Sequence, residues 1–202
     1  MITIVDYGLG NIASILNMIR KVGGKARVSS DANNLLTASK LIIPGVGSFD
    51  HGAKQLEKMG LFSAIQEIAL KETPILGICL GMQLLANRSE EGKMKGLGLI
   101  DADFKRFSFP DNSTNRIPHV GWNHVTPLKD NLLIPNDNSE QRFYFTHSYH
   151  AVCKNDSDVL ATTEYGYSFT TAYFRNNIFG VQFHPEKSHR FGMSLMKRFL
   201  DF

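Results

Sequence analysis

The chain has 202 residues, 43% of them hydrophobic and 20% charged, with a formal charge of +3. That length can bury a sizeable core, and the balance is that of a globular protein rather than a disordered or fibrous one. No basic run exceeds a pair such as Lys197–Arg198 and no apolar window reaches bilayer length, so neither nucleic acid nor a membrane is an expected partner.

The opening "MITIVDYGLGN" reads as an immediate strand and lacks the basic start and long apolar core of a signal peptide. Next, "GNIASILNMIRKVG" places Ile12, Ile15, Leu16 and Ile19 at helical spacing before a Gly23–Gly24 stop. "KARVSS" and "KLIIPGVG" read as strands, "SFDHGAKQLEKMG" and "LFSAIQEIALKE" as helices. "PILGIC" is a continuous apolar strand, and "LGMQLLAN" opens the next helix. Strands buried on both faces with helical crossovers predict an α/β fold with a mixed, mostly parallel central sheet flanked by helices.

The second half changes character. "LGLIDADFKRFSF", "HVGWNHVTPL", "QRFYFTHSYHAVC", "DVLATTEYG", "FTTAYFRN" and "NIFGVQFH" each read as a strand between turn residues. "SHRFGMSLMKRFLDF" closes as a helix with Phe191, Leu195, Met196, Phe199 and Leu200 on one side. The polar stretches 110–115 and 135–141 are the expected mobile pieces. With no repeat, linker or low-complexity tract, residues 1–202 read as one domain.

Two cysteines, Cys79 and Cys153, form neither a ladder nor a C-x-x-C pair, which predicts a reduced, cytoplasmic protein. Cys79 stands in "GICLG", between a predicted strand and a predicted helix. This is the setting of a nucleophile elbow, where side chains at the flanking glycines would crowd the bend. A helix N-terminus there adds partial positive charge, and the Leu80 N–H is a natural oxyanion donor. The plain alternative is packing, the usual fate of a free cysteine.

"GVQFHPEKS" bears on that choice. His184 ends an apolar strand, Pro185 forces a turn, and Glu186 lies two residues on. A cysteine nucleophile needs a base, and the base needs a third group to orient it; His184 and Glu186 supply both from one loop. For any one of the seven histidines alone, a satisfied structural role is the commoner outcome. In "LIIPGVGSFD" the backbone of Gly45, Val46 and Gly47 offers the other half of an oxyanion hole, or is an ordinary βα turn. In "FYFTHSYHAV" an aromatic strand carrying His147, Ser148, Tyr149 and His150 either lines a polar pocket or alternates toward solvent.

"PGVG", "GICLGMQLL", "HSY" and "FGVQFHPEKS", in this order, resemble the class I (triad) glutamine amidotransferases over nearly the whole chain. "DYGLGN", "PGVGSF", "SEEG", "PHVGWN" and "HPEKS" are similar to the family's glutaminase subunits of imidazole glycerol phosphate synthase; Val120 stands where those more often carry Met. The resemblance implies a Cys79 nucleophile, His184 as base and acid, and Glu186 as the orienting carboxylate. It implies that Gln83 contacts bound glutamine and that the backbone of His147, Ser148 and Tyr149 holds its amino-acid end. "PGVG" matches an oxyanion strand that reorients before it is productive. The implied reaction hydrolyses L-glutamine to glutamate and ammonia through a thioester. No cofactor is expected, and the sequence offers no ligand cluster, Walker loop or G-x-G-x-x-G.

The resemblance also implies a heterodimer with a separate (β/α)₈-barrel cyclase in histidine biosynthesis. Such a barrel needs roughly 250 residues and has no room here. Gly10, Asn11, Lys187 and the Tyr149 region would lie toward that partner. "SHRFGMSLMKRFL", "FTTAYF" and "HSYHAVC" also look like a paralogous branch that feeds ammonia to a sugar amidotransferase for surface polysaccharides. A non-catalytic binding subunit and a cysteine hydrolase on a similar fold are the alternatives of other classes.

Overall fold

Alternation of buried apolar strands with amphipathic helices builds the first half of the molecule. The structure, a computed structural model, describes residues 1–137 and 139–202; Asn138, in the stretch expected to be mobile, lies outside them. The elements run β1 (Ile2–Val5), α1 (Ile12–Lys21), β2 (Ala26–Ser29), α2 (Ala32–Leu36), β3 (Lys40–Ile43), α3 (Phe49–Lys58), α4 (Leu61–Leu70), β4 (Ile75–Ile78) and α5 (Leu80–Leu85). The second half adds β5 (Arg88–Ser89), β6 (Ala102–Arg106), β7 (His119–His124), β8 (Thr126–Pro127), β9 (Arg142–His147), β10 (Tyr149–Cys153), β11 (Val159–Glu164), β12 (Ser168–Arg175), β13 (Ile178–Val181) and α6 (His189–Asp201).

The main sheet has the order β2-β1-β3-β4-β13-β12-β10-β6-β5, with β11 and β8 joined beside β12. It is parallel from β2 through β13 and turns antiparallel at β12. Strand alternation divides the core. Leu41 and Ile43 join the cluster under α2, α3, α4 and α5, while Ile42 joins the cluster under α1 and α6. Helix α6 buries Leu195, Met196 and Phe199 against that second face, each worth roughly 1.5–3 kcal/mol. Among the described residues no helix is long and apolar enough to cross a membrane.

Three local expectations are corrected. "QRFYFTHSYHAVC" is two strands, because the chain changes sheets at Ser148. His147 pairs with His119 in the separate β7–β9 ribbon, and Tyr149 pairs with Arg106 in the main sheet. "HVGWNHVTPL" divides into β7 and β8, and only the centre of "LGLIDADFKRFSF" is strand. The short helix α2 was not foreseen; Asp31 caps it by accepting from the Asn34 N–H at 3.1 Å.

Candidate active site

Strand β4 is buried along its whole length and delivers Cys79 at its C-terminal end, in the middle of the sheet. The Cys79 N–H donates to Val181 O of β13 at 2.9 Å, and its carbonyl accepts from Gln83 N in the first turn of α5 at 3.2 Å. Between these anchors Cys79 has φ 54° and ψ −107°, a conformation residues with a side chain avoid unless their surroundings impose it. The flanking glycines make the bend possible. A Cβ on Gly81 would lie 1.8 Å from Ile43 O, and one on Gly77 2.7 Å from Gly81 O.

His184 leaves β13 three residues past its end. Its N–H donates to Tyr144 O at 2.9 Å, while the Ser188 hydroxyl donates to His184 O at 2.6 Å and accepts from Tyr144 N at 3.0 Å. The loop is thereby latched to β9. Pro185 then starts one tight helical turn that brings Glu186 Oε1 2.8 Å from His184 Nδ1, both side chains 1% exposed. With Nδ1–H given to the carboxylate, Nε2 faces the pocket. It has no well-formed hydrogen bond, so the Cys79 sulfur acts on it first as a nearby charge. Burial alone would depress the His184 pKa; Cys79 and then Glu186 outweigh it and raise the value to about 10. The sulfur and the Glu186 carboxylate thus both favour the charged form of the His184 ring.

Cys79 and His184 open on one recess of about 310 Å³, lined also by Val46, Gly47, Leu80, Gln83 and the 147–149 segment. Gln83 is buried with Oε1 unpartnered. The expected oxyanion donor Leu80 N–H is occupied: it points at Gly45 O, 3.4 Å away. A Cβ on Gly45 would meet the Tyr7 hydroxyl at 2.5 Å and Leu80 Cβ at 2.7 Å, so only glycine lets this loop lie so close to the elbow. Tyr7 donates to Pro44 O at 2.5 Å and holds the loop there.

The 147–149 segment is fixed from behind. His147 Nδ1–H donates to Tyr149 O at 2.8 Å, which leaves Nε2 to accept from His119 Nδ1–H at 3.0 Å. The Asn123 amide completes the series at His119 Nε2, 3.3 Å away. Burial holds His147 down to about 3 and His119 to about 4, so both are neutral. Among the described residues no group of three His, Cys, Asp or Glu side chains could hold a metal ion.

The family model for glutamine amidotransferase class-I matches residues 3–201. The chain belongs to the class I glutamine amidotransferases. It is 48% identical over 202 residues to imidazole glycerol phosphate synthase subunit HisH 2 of Pseudomonas aeruginosa, covering 100% of this chain and 99% of that protein. It is 50% identical to HisH 2 of Methanococcus maripaludis, over 99% of this chain and 98% of that one. The HisH subunit of Leptospira interrogans is 43% identical, with 98% of both chains covered. Among solved structures, PurLQS from Thermotoga maritima superposes with a TM-score of 0.76 at 18% identity, over 99% of this chain and 97% of that chain. At that identity the likeness shows the fold alone.

This glutamine amidotransferase brings together Cys79, His184, Glu186, Val46, Gly47, Leu80, Gln83 and the 147–149 segment, with Gly45 just behind the lining. Asn11 and Lys187 lie apart from the recess. Asn11 accepts from the Ser14 hydroxyl at 2.9 Å, and Lys187 Nζ lies 5.6 Å from the Tyr144 ring centre. Sequence reasoning missed three groups. Glu91 lines the recess, and its Oε2 accepts from Phe49 N at 2.8 Å; "SEEG" was its only trace. Thr146 presents its carbonyl 4.0 Å from the Cys79 sulfur, and Gln182 its amide nitrogen at 3.7 Å. Both sit inside strand-like apolar runs, where nothing local marks them.

Proposed function

We propose that the chain is the glutaminase subunit of an imidazole glycerol phosphate synthase, one class I glutamine amidotransferase domain over residues 1–202. The observation that carries the chemistry is the strained Cys79 facing the buried His184–Glu186 pair across one recess. Glutamine enters with its amino-acid end against the 147–149 backbone, its ammonium toward Glu91 and its amide toward Gln83 and Cys79. The Cys79 thiolate attacks the amide carbon, and the C–N bond breaks as the His184 imidazolium gives its proton to the departing nitrogen, which leaves as ammonia. The sulfur is now neutral, so the largest influence raising the His184 pKa is gone. Neutral His184 then takes a proton from water, the hydroxide cleaves the thioester, and glutamate leaves with the thiolate restored. Glu186 holds Nδ1–H throughout and keeps Nε2 toward the reacting atoms.

The negative oxygen of each tetrahedral intermediate needs Leu80 N–H and a backbone N–H near Val46. Leu80 N–H is engaged with Gly45 O in the resting chain, so the 44–47 loop turns before catalysis. We assign that turn to docking of a separate cyclase (β/α)₈-barrel carrying its nucleotide. The partner also takes the ammonia in a closed passage before bulk water protonates it. Lys187, beside Glu186 in a second recess of about 340 Å³, and Asn11 are assigned to the partner-facing side. We place the reaction in the cytoplasm, where the thiols of Cys79 and Cys153 stay reduced.

A second reading passes the ammonia to a sugar amidotransferase. It is favoured by the stretches "SHRFGMSLMKRFL", "FTTAYF" and "HSYHAVC", which look like that branch. Glutamate release, measured with the chain alone and with its genome's cyclase barrel with and without the nucleotide, separates the two. Strong stimulation by barrel plus nucleotide is expected. Stimulation by a sugar amidotransferase instead would move the chain to the second reading and leave the hydrolytic chemistry in place.

A further inference from the structure

The end of strand β13 and the three residues after it serve the elbow three times over. Val181 O anchors the Cys79 backbone at 2.9 Å, and His184 follows three residues later as the base. Between them Gln182 is fully buried, and its side-chain Nε2 lies 3.7 Å from the Cys79 sulfur. Its own backbone N–H is pinned to Thr171 O of β12 at 2.9 Å, so the side chain starts from a fixed position.

The surroundings make this amide hard to explain as packing. Gln182 Oε1 has no hydrogen-bond partner, nor does the neighbouring buried hydroxyl of Thr171. A half-satisfied buried amide lowers stability, and a thioether of the same length would fill the space without that penalty. What the amide supplies is an N–H directed at sulfur. The other close polar group, the Thr146 carbonyl at 4.0 Å, is an acceptor that serves a thiol and repels a thiolate. Among the described residues, Gln182 is the uncharged side-chain donor to that sulfur.

We propose that Gln182 is a fourth catalytic group, whose side-chain N–H stabilises negative charge on the Cys79 sulfur before attack and again when the sulfur leaves the thioester. The inference rests on Cys79 being the nucleophile. In the second half-reaction water oxygen bonds to the acyl carbon, its proton passes to His184, and the C–S bond breaks with its electron pair going to sulfur. Gln182 N–H and the His184 imidazolium receive that charge together. Unlike His184, Gln182 exchanges no proton, so its contribution persists while His184 is neutral.

The test compares wild type, Gln182→Met and Gln182→Glu in the rate of carboxamidomethylation of Cys79 by iodoacetamide from pH 5 to 10, read by peptide mass. Losing the donor lowers the thiolate fraction but leaves a more basic, more nucleophilic sulfur. Gln182→Met is therefore expected to react more slowly below neutral pH and at least as fast as wild type on the alkaline plateau. Gln182→Glu, of the same shape but with a carboxylate, moves the rise further to alkaline pH. In glutamine hydrolysis by the complex with the stimulating partner, both lose about 10- to 100-fold in kcat with KM little changed, the range for a hydrogen bond to a charged group. A Gln182→Met profile that superimposes on wild type, or falls by one factor at every pH, overturns the proposal. If Gln182→Met does not fold, the Gln182→Glu profile decides by the same criterion. A wild-type Cys79 that resists the reagent at every pH overturns the nucleophile reading as well, so the two failures are distinguishable.

Discussion

Cys79 and Cys153 are the two thiols of the chain, and their surroundings separate them. Burial, then Asp158 and Asp156, push the Cys153 thiol up to about 12, so it stays protonated and unreactive at neutral pH. Cys79 faces an imidazole raised to about 10 by the sulfur and by Glu186. Replacing Cys79 with Ala is expected to abolish glutamine hydrolysis and leave partner binding intact, measured as glutamate release and as complex formation. Retained hydrolysis would remove Cys79 from the proposed chemistry. Glu186→Gln keeps the shape of the His184 partner but presents the wrong hydrogen-bonding face and loses the charge. It should lower kcat about 10²- to 10⁴-fold; unchanged turnover would mean that another group orients His184.

At the scale of elements, the site is the meeting of β4, β13, β9 and the 44–47 loop, and the joints between them are testable. Ser188 ties the His184 loop to β9 through two hydrogen bonds, to Tyr144 N and His184 O. Ser188→Ala leaves both backbone groups without that partner, with an expected loss of about 1–3 kcal/mol in stability and a lower kcat, measured by denaturant titration and initial rates. Tyr7 restrains the 44–47 loop through Pro44 O. Tyr7→Phe should free that loop and raise unstimulated glutamine hydrolysis several-fold, about the effect of 1 kcal/mol, so the stimulation ratio shrinks. An unstimulated rate that falls in proportion to the stimulated one would show that Tyr7 supports the productive loop conformation instead.

The same elements explain what was legible in the sequence. β4 and its elbow were readable because a continuous apolar run, two glycines and one cysteine coincide within residues 75–81, and sheet burial agrees with each. His184 and Glu186 were readable because proline fixes the turn that joins them. The break at Ser148 was not, since "FYFTHSYHAV" keeps one unbroken strand pattern while its two halves pair with partners far apart in sequence. Gln182 and Thr146 were hidden for the same reason. What they face is decided by β4, and nothing in their own segment encodes it. Helix α2, of five residues with a lone cap, is shorter than any periodicity can report.

At the scale of the whole molecule, the hydrogen-bonded His119–His147 pair links the two strands of the β7–β9 ribbon beside its junction with the main sheet at Ser148, and makes the fold acid-sensitive. Both are neutral when folded, held to about 4 and about 3 mainly by burial, and each titrates near 6.5 when unfolded. Above that value neither state binds the protons and the pair contributes no slope. As pH falls below 6.5 the unfolded chain takes up protons that the fold refuses, and stability is lost down to the folded values. His147 alone sets a limiting slope of about 1.4 kcal/mol per pH unit. Denaturant midpoints at pH 7, 6 and 5 should fall steadily, and a constant midpoint would contradict the neutral pair. His184 acts in the opposite sense: with its folded value near 10, its stabilising share is present below 6.5 and is lost as pH rises toward 10.

The account turns on one covalent bond, between the Cys79 sulfur and the amide carbon of glutamine. The direct measurement is labelling by a glutamine-derived electrophile, in the presence of the stimulating partner, followed by peptide mass mapping. The predicted result is a single adduct on the peptide holding Cys79, blocked by excess glutamine and absent in His184→Ala at neutral pH, with Cys153 unmodified. An adduct on any other residue, or full glutamine turnover after Cys79 is capped, would contradict it.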